Sequence, residues 1–286
     1  MNLGGNRKMS AKSLFLSFVA ALLFTTVIIA ADPKPAEIIE KHLNSFAAAD
    51  KRKGLENMLL IGISDFNSKL PERKSQGRMV IASDASNFMI LSSFAAVNYP
   101  FERIGMFGGK INIPFVVSGV RSPLGDFLNE HPRLLTSGLF GGSMSLQWNF
   151  LERNTSKGNM NGAGIKKVDG RKAYVVDFYT QGNSDSLSIQ MFFDAENFRH
   201  LRTRYREVVA GKEAVFGQLG RETGYELILT EDFSDFITQD GVTLPTKTKI
   251  HYISNSGRGT FEYDWVFKVT EVQFNQKLKE NFFVFN

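Results

Sequence analysis

Catalysis or metal binding needs polar groups that converge, and this chain of 286 residues offers few: its four histidines are far apart in sequence. The histidines are His42, His131, His200 and His251, with no His-x-His or His-x-x-x-His pair among them, and cysteine is absent. Without paired histidines or thiolates, no structural or catalytic zinc site is expected, and disulfide or thiol chemistry is excluded. No Gly-x-Ser-x-Gly, phosphate-cradling loop or dinucleotide fingerprint occurs. The glycine-rich stretch NGAGIKKVDG (161–170) lacks the spacing and the following helix of a nucleotide loop, and reads as a turn. Glu231, Asp232 and Asp235 in LTEDFSDF read either as a carboxylate pair or cation site, or as a solvated strand end. The solvated end is the simpler reading. His42 borders the apolar stripe of a helix and reads as a buried or edge histidine rather than a ligand. Arg199, Arg202, Arg204 and Arg206 suit an acidic head group or, more simply, a wet strand face. No catalytic residue, metal or cofactor emerges from this inventory, and an enzyme is not expected.

The chemistry left is apolar recognition. In FEYDWVFKVTEV (261–272), Phe261, Tyr263, Trp265, Phe267 and Val269 occupy consecutive odd positions, while the even positions, Glu262, Asp264, Val266, Lys268 and Thr270, are mostly polar. A period of two is a β-strand with one dry and one wet face. The dry face can cover an ordinary core, a bilayer, or a cavity holding something apolar.

Other segments share this habit. PKPAEIIEKHLNSFAAADKRKG carries Ile38, Ile39, Leu43 and Phe46 at helical spacing, with Pro35 in its first turn and Gly54 at its end. Strands are expected at 57–66, 77–83, 87–95 and 107–113. Residues 120–140 break the pattern. Ser122-Pro123 opens one short helix bearing Leu124, Phe127 and Leu128, and Pro132 opens another bearing Leu134, Leu135 and Leu139, ending at Gly141-Gly142. Trp148 and Phe150 are assigned to a further strand, and 152–164 to a loop. Strands follow at 173–179, 187–193, 199–208, 225–233, 247–253, 261–272 and 282–285, with turns at Asp169-Gly170, Asp240-Gly241 and Ser256-Gly257. There is no strand-helix alternation, so a parallel sheet is not expected. The predicted fold is mainly β (α+β): one large antiparallel, strongly twisted sheet with helices on its apolar face.

Residues 1–31 stand apart. Arg7, Lys8 and Lys12 precede the uncharged LFLSFVAALLFTTVIIA (14–30), which ends in small residues before ADPKP. This describes a secretory signal peptide cleaved after Ala30 or Ala31, with retention as an anchor as the alternative. The first 31 residues hold three bases and no acid, so the formal charge of +5 falls to +2 without them. A mature chain so nearly neutral gives no reason to expect nucleic-acid binding. Residues 32–286 are long enough for one β domain with a substantial core, and export without disulfides suits a bacterial periplasm.

The order of elements resembles the outer-membrane lipoprotein-sorting family, the Lol-type (LolA/LolB-like) carriers. The likeness rests on PAEIIEKHLNSF after a signal peptide and on QGRMVIASDASNFMI as a strand pair with a short turn. It continues in VDGRKAYVVDFY with IQMFFDAENFRHLRTRY as a hairpin, and in VTEVQFNQKLKENFFVF as the closing segment. The resemblance implies an unclosed half-barrel whose aromatic concave face takes acyl chains, with helices in its mouth as a lid. It implies Phe88, Ile90, Trp148, Tyr174, Val176, Phe178, Met191, Phe193, Leu227, Leu229, Phe261, Tyr263, Trp265 and Phe267 as the lining. The lid is then Leu124, Phe127, Leu128, Leu134, Leu135 and Leu139. Where the family's soluble carrier has an arginine after the strand-pair turn, this chain has Met89. The function implied is a periplasmic, non-enzymatic carrier of a lipid or of an acylated lipoprotein, with envelope proteins as possible partners. A closed-core scaffold and an outer-membrane barrel are the alternatives.

Overall fold

Pro35 opens helix α1 (Pro35–Phe46), where a missing N–H leaves no bond unmade, and Ile38, Ile39, His42 and Phe46 form its buried stripe. A short helix α2 (Ala49–Lys53) follows and stops at Gly54. Its buried Arg52 donates through Nη1 to the carbonyls of Leu43 and Ala47 at 3.0 and 2.6 Å, giving the end of α1 the donors it lacks. These elements belong to a computed structural model that describes residues 32–151, 158–179, 187–211 and 224–285. The expected signal peptide lies outside the described residues. Lys34–Asn286 cluster as one unit.

The first half forms strands β1 (Asn57–Lys69), β2 (Glu72–Asp84), β3 (Phe88–Ser93), β4 (Phe101–Phe107) and β5 (Lys110–Asn112). Helices α3 (Pro123–Glu130) and α4 (Arg133–Thr136) and a single 3₁₀ turn at Gly142–Met144 come next. The second half forms β6 (Asn159–Val168), β7 (Arg171–Tyr179), β8 (Leu187–Asp194), β9 (His200–Val209), β10 (Tyr225–Gln239), β11 (Val242–Ser256) and β12 (Gly259–Phe274). All twelve strands join one antiparallel sheet in the order β5-β4-β3-β2-β1-β12-β11-β10-β9-β8-β7-β6. Each half is a meander, and the pairing of β1 with β12 joins them. The two edges, β5 and β6, do not pair with each other, so the sheet is not a closed barrel.

Curvature follows from one residue. Phe88 on β3 and Glu231 on β10 stand five strand spacings apart, about 24 Å if the sheet were flat. Both reach Gly141: its N–H donates to the Glu231 carboxyl at 2.8 Å, and a Cβ there would lie 3.1 Å from the Phe88 ring. The sheet is therefore rolled around the segment that carries Gly141. That segment, 113–151, must travel from β5 to β6, and it does so across the concave face. Its Leu124, Phe127, Leu128, Leu134, Leu135, Leu139 and Met144 merge with the inner sheet residues into one buried cluster.

Several expected elements differ. Trp148 and Phe150 form no strand; they lie in turns of the central segment, with Trp148 N–H bonded to the Ser145 carbonyl. NGAGIKKVDG is not a turn but most of edge strand β6, with only Asp169-Gly170 turning. The expected loop 152–164 therefore ends early, and its residues 152–157 lie outside the described set. The expected strand 107–113 shrinks to β5: β4 runs earlier and ends at Phe107, and Gly108 and Gly109, both at positive φ, form the turn between them. Residues 282–285 form no strand. Phe283 instead packs with Leu59, Ala82 and Met89 on the outer face, so Met89 lies beneath the C-terminal tail.

The parity of β12 holds through Phe267 and then slips. Opposite Ile61 and Gly62 the register jumps from Glu271 to Val269, a bulge that leaves Thr270 extra, and Val272 becomes the next buried residue. Gly62 is required there, because a Cβ would stand 2.0 Å from the Lys268 carbonyl oxygen.

Candidate functional site

The inner face is built by alternation. Ile90, Phe88, Val176, Phe178, Met191, Phe193, Leu229, Trp265 and Phe267 are all buried in the main core, and Leu227 lies at its margin. Tyr174 and Tyr263 are half-buried against it, while Phe261, nearer the end of β12, is half-buried outside it. Trp148 is buried too, yet it belongs to the covering segment rather than to the wall. The six expected lid residues cover the wall and are themselves no more than 2% exposed. Wall and lid thus share one apolar interior.

Polar contacts fasten the cover at intervals. At its start, Ser122 caps α3 by accepting from the Gly125 N–H at 2.8 Å and also bonds to the Glu102 carboxyl. Tyr99 donates to Glu102 Oε2 at 2.5 Å and accepts from Trp265 Nε1 at 2.6 Å, so one chain of bonds runs from β12 through β4 to the cap of α3. Phe66 packs against Phe94, Tyr99 and Trp265 with ring centroids 4.4–5.8 Å apart. Burial pushes the Glu102 carboxyl up to about 7, against the opposing pull of its Ser122, Tyr99 and Arg103 donors.

In the middle, Glu231 accepts from Gly141 N–H through Oε1 and faces Tyr205 Oη through Oε2 at 2.8 Å. Tyr205 Oη also meets the Leu139 carbonyl at 3.0 Å. A hydroxyl has one proton and a carbonyl can only accept, so both contacts are fully satisfied when Glu231 is protonated and donates to Tyr205. Burial independently lifts the Glu231 carboxyl to about 8. The expectation of a solvated strand end is overturned: Glu231 shares a face with Leu227, Leu229 and Phe233, whereas Asp232 points outward to Arg202.

Towards its end, the cover is held by Leu146 N–H donating to Ser83 Oγ at 2.8 Å and by Trp148. The Trp148 indole donates to His42 Nε2 at 3.0 Å and stacks on His200 at 4.8 Å between centroids. His42 Nδ1 meets the Phe198 carbonyl at 3.1 Å, which fixes the neutral tautomer with its proton on Nδ1. Burial lowers His42 to about 4 and holds His200 well below the usual histidine range. His200 bonds Thr203 Oγ1 through Nε2 at 2.8 Å, and its Nδ1 has no partner among the described residues. His42 is thus a satisfied buried histidine, as expected. No group of metal-ligating side chains occurs among the described residues.

Glu102, Tyr99 and Tyr205 are not among the residues expected from the sequence. The parity that marks Ile104 and Met106 as buried also marks Glu102, and that was the available signal.

Near the rim, a cleft of about 280 Å³ is lined by Phe66, Ala96, Val97 and Tyr99 with Arg73 and Lys74 beside them. Of the Trp265–Tyr99 pair, Tyr99 lines this cleft and Trp265 lies buried behind it. The outer face is polar: Asp65 bonds Lys268 at 2.8 Å, and Lys249 and His251 both meet Asp264. Arg202, Arg204 and Arg206 lie on this wet side.

No model of a known protein family matches the sequence, and no curated protein matches it. Solved structures do. An outer-membrane lipoprotein-sorting protein domain of Vibrio parahaemolyticus is 12% identical at a TM-score of 0.43, covering 86% of this chain and 97% of that one. A DUF1329 family protein of Desulfovibrio piger is 10% identical at 0.39, covering 87% and 96%. The lipoprotein LppX of Mycobacterium tuberculosis is 9% identical at 0.24, covering 84% and 100%.

Proposed function

We propose that this chain is an exported, non-enzymatic binding protein that takes an acyl chain of a lipid or acylated lipoprotein against its concave face. The segment 113–151 acts as the displaceable cover, and residues 1–31 act as the export signal. The observation that carries this reading is that the cover is a single continuous segment outside the pairing of the sheet. The apolar wall is covered by a crossing segment that pairs with no strand of the sheet and is fastened at discrete polar points. Burying an acyl chain of fifteen methylenes gains about 12 kcal/mol at ~0.8 per CH₂. Re-exposing six lid side chains costs roughly 1.5–3 kcal/mol each, a sum of similar size, so exchange is reversible. The rim cleft at Phe66 and Tyr99 supplies an entry beside Trp265.

A closed-core scaffold has one observation in its favour, the complete burial of wall and lid against each other. A cysteine lock separates the two. The chain has no cysteine, and Ser83 Oγ lies 2.8 Å from the Leu146 amide, so Ser83→Cys with Leu146→Cys can tie the cover to β2. The reading expects the reduced pair to bind a fluorescent fatty acid and the oxidised pair to lose at least tenfold in affinity. Equal binding in both forms would show that the cover does not move. Absence of binding in both the wild type and the reduced pair would leave the scaffold.

A further inference from the structure

On the outer face, away from the cover, strands β8 to β11 and the β6–β7 hairpin enclose a cleft of about 410 Å³. Five bases line it, Lys166, Lys167, Arg202, Arg204 and Lys249, against a single carboxylate, Asp232. Two of these bases are already paired. Arg202 is bonded to Asp232, and Lys249 to Asp264 at 3.0 Å. Along β9 the arginine beyond, Arg206, is likewise bonded, to Glu226. Arg204 is different. Its neighbours across the sheet are Gln190 on β8 and Thr230 on β10, both neutral, and no carboxylate partner is found for it among the described residues. Lys166 and Lys167 have no ion pair among the described residues either, and the hairpin brings them to the same cleft.

Cross-strand pairing is how a wet sheet face ordinarily neutralises its charge. A place where three bases converge without it attracts an anion, and a guanidinium with two ammonium groups matches the several oxygens of a phosphate. The rest of the lining is Phe192, Ile228 and Ile253 together with Gln190, Thr230 and His251, and His251 is held by Asp264 at 2.7 Å. We infer that this cleft is a second binding site, which holds the phosphate group of a phosphorylated ligand through Arg204, Lys166 and Lys167, with the ligand's carbon skeleton on Ile228 and Ile253. The phosphate can be carried by a lipid headgroup in a bilayer or by a soluble phosphate ester. This inference is independent of the acyl-chain reading, because the concave face contributes no residue to it.

The test uses the full chain in two arms. One measures co-flotation with phosphatidylcholine vesicles made with and without phosphatidylglycerol, and the other titrates glycerol 3-phosphate by calorimetry. The triple variant Lys166→Ala, Lys167→Ala, Arg204→Ala should weaken whichever binding is seen by roughly fivefold for each base removed. A control triple, Lys110→Ala, Lys277→Ala, Lys279→Ala, removes the same charge from exposed positions outside the cleft and should leave binding within twofold. Flotation on phosphatidylglycerol alone identifies a headgroup, and binding of the soluble ester identifies a free phosphate; either supports the site. No binding in both arms, or equal losses in the two triples, would overturn it.

Discussion

The Trp148 indole N–H points at His42 Nε2 across 3.0 Å of buried space, joining the segment that covers the sheet to the first helix of the fold. The same imidazole hands its other proton-bearing nitrogen to the Phe198 carbonyl, so both of its nitrogens are used only while the ring is neutral. A protonated ring would present an N–H to the Trp148 N–H, two donors face to face.

Acid should therefore loosen the cover. His42 is depressed to about 4 from the ordinary 6.5, with burial as the main cause. A depressed folded-state value adds stability that is present above pH 6.5 and lost as pH falls through 4. The linked contribution is about 3 kcal/mol. Thermal melts from pH 7 to 4 should show the wild type losing stability more steeply than His42→Gln. Parallel curves would mean that this histidine does not carry the acid dependence.

Base should act on the opposite side of the cover. Glu231 is raised to about 8 and Glu102 to about 7, each by burial. A raised carboxyl contributes stability that is complete below its unfolded value near 4.5 and is lost as pH climbs through the folded value. Glu231→Gln keeps an acceptor for Gly141 N–H and a donor for Tyr205. It should match the wild type at pH 5 and exceed it by about 2 kcal/mol or more at pH 9 in urea titrations. A variant no more stable than the wild type at pH 9 would contradict a protonated Glu231.

Removing the Tyr99 hydroxyl should cost more than removing the Ser122 hydroxyl. Tyr99→Phe leaves the buried Trp265 Nε1–H without its acceptor and takes one donor from Glu102. Stranded buried groups cost about 1–3 kcal/mol each. Ser122→Ala removes a helix cap and one contact to Glu102, an effect of about 1–2 kcal/mol. Denaturant midpoints for the two variants give the ranking directly.

Gly62→Ala tests the bulge. The added methyl would meet the backbone of Lys268 and Val269, which cannot swing aside as a side chain can. A loss of about 2 kcal/mol or more in unfolding free energy is expected, with a shift in the Thr270 amide resonance as the strand re-registers. A neutral substitution would mean that β1 and β12 slide freely.

Most of the strands were legible because side-chain direction along a strand is a local property. Tyr174, Val176 and Phe178, or Leu227, Leu229 and Phe233, declare their shared face without reference to anything distant. Strand β6 was not legible, since NMNGAGIKKV is an exposed edge with a register shift, and its glycines look like a turn. Trp148 was misplaced for a related reason: Leu146, Trp148 and Phe150 alternate like a strand, yet the chain there turns across the core. Glu231 was set aside on its charge although its parity already placed it inward.

Composition and periodicity alone determined that this is an antiparallel β protein with one dry face and short central helices, because each of those facts is written within a few neighbouring residues. The tertiary structure alone decided what the dry face meets. Gly141 and Glu231 are separated by 90 positions, His42 and Trp148 by 106, and Tyr99 and Trp265 by 166. Such pairs exist only because β1 closes onto β12 and rolls the sheet until two distant strands touch the same glycine. No local pattern carries that information, since it is a property of how the whole chain folds back on itself.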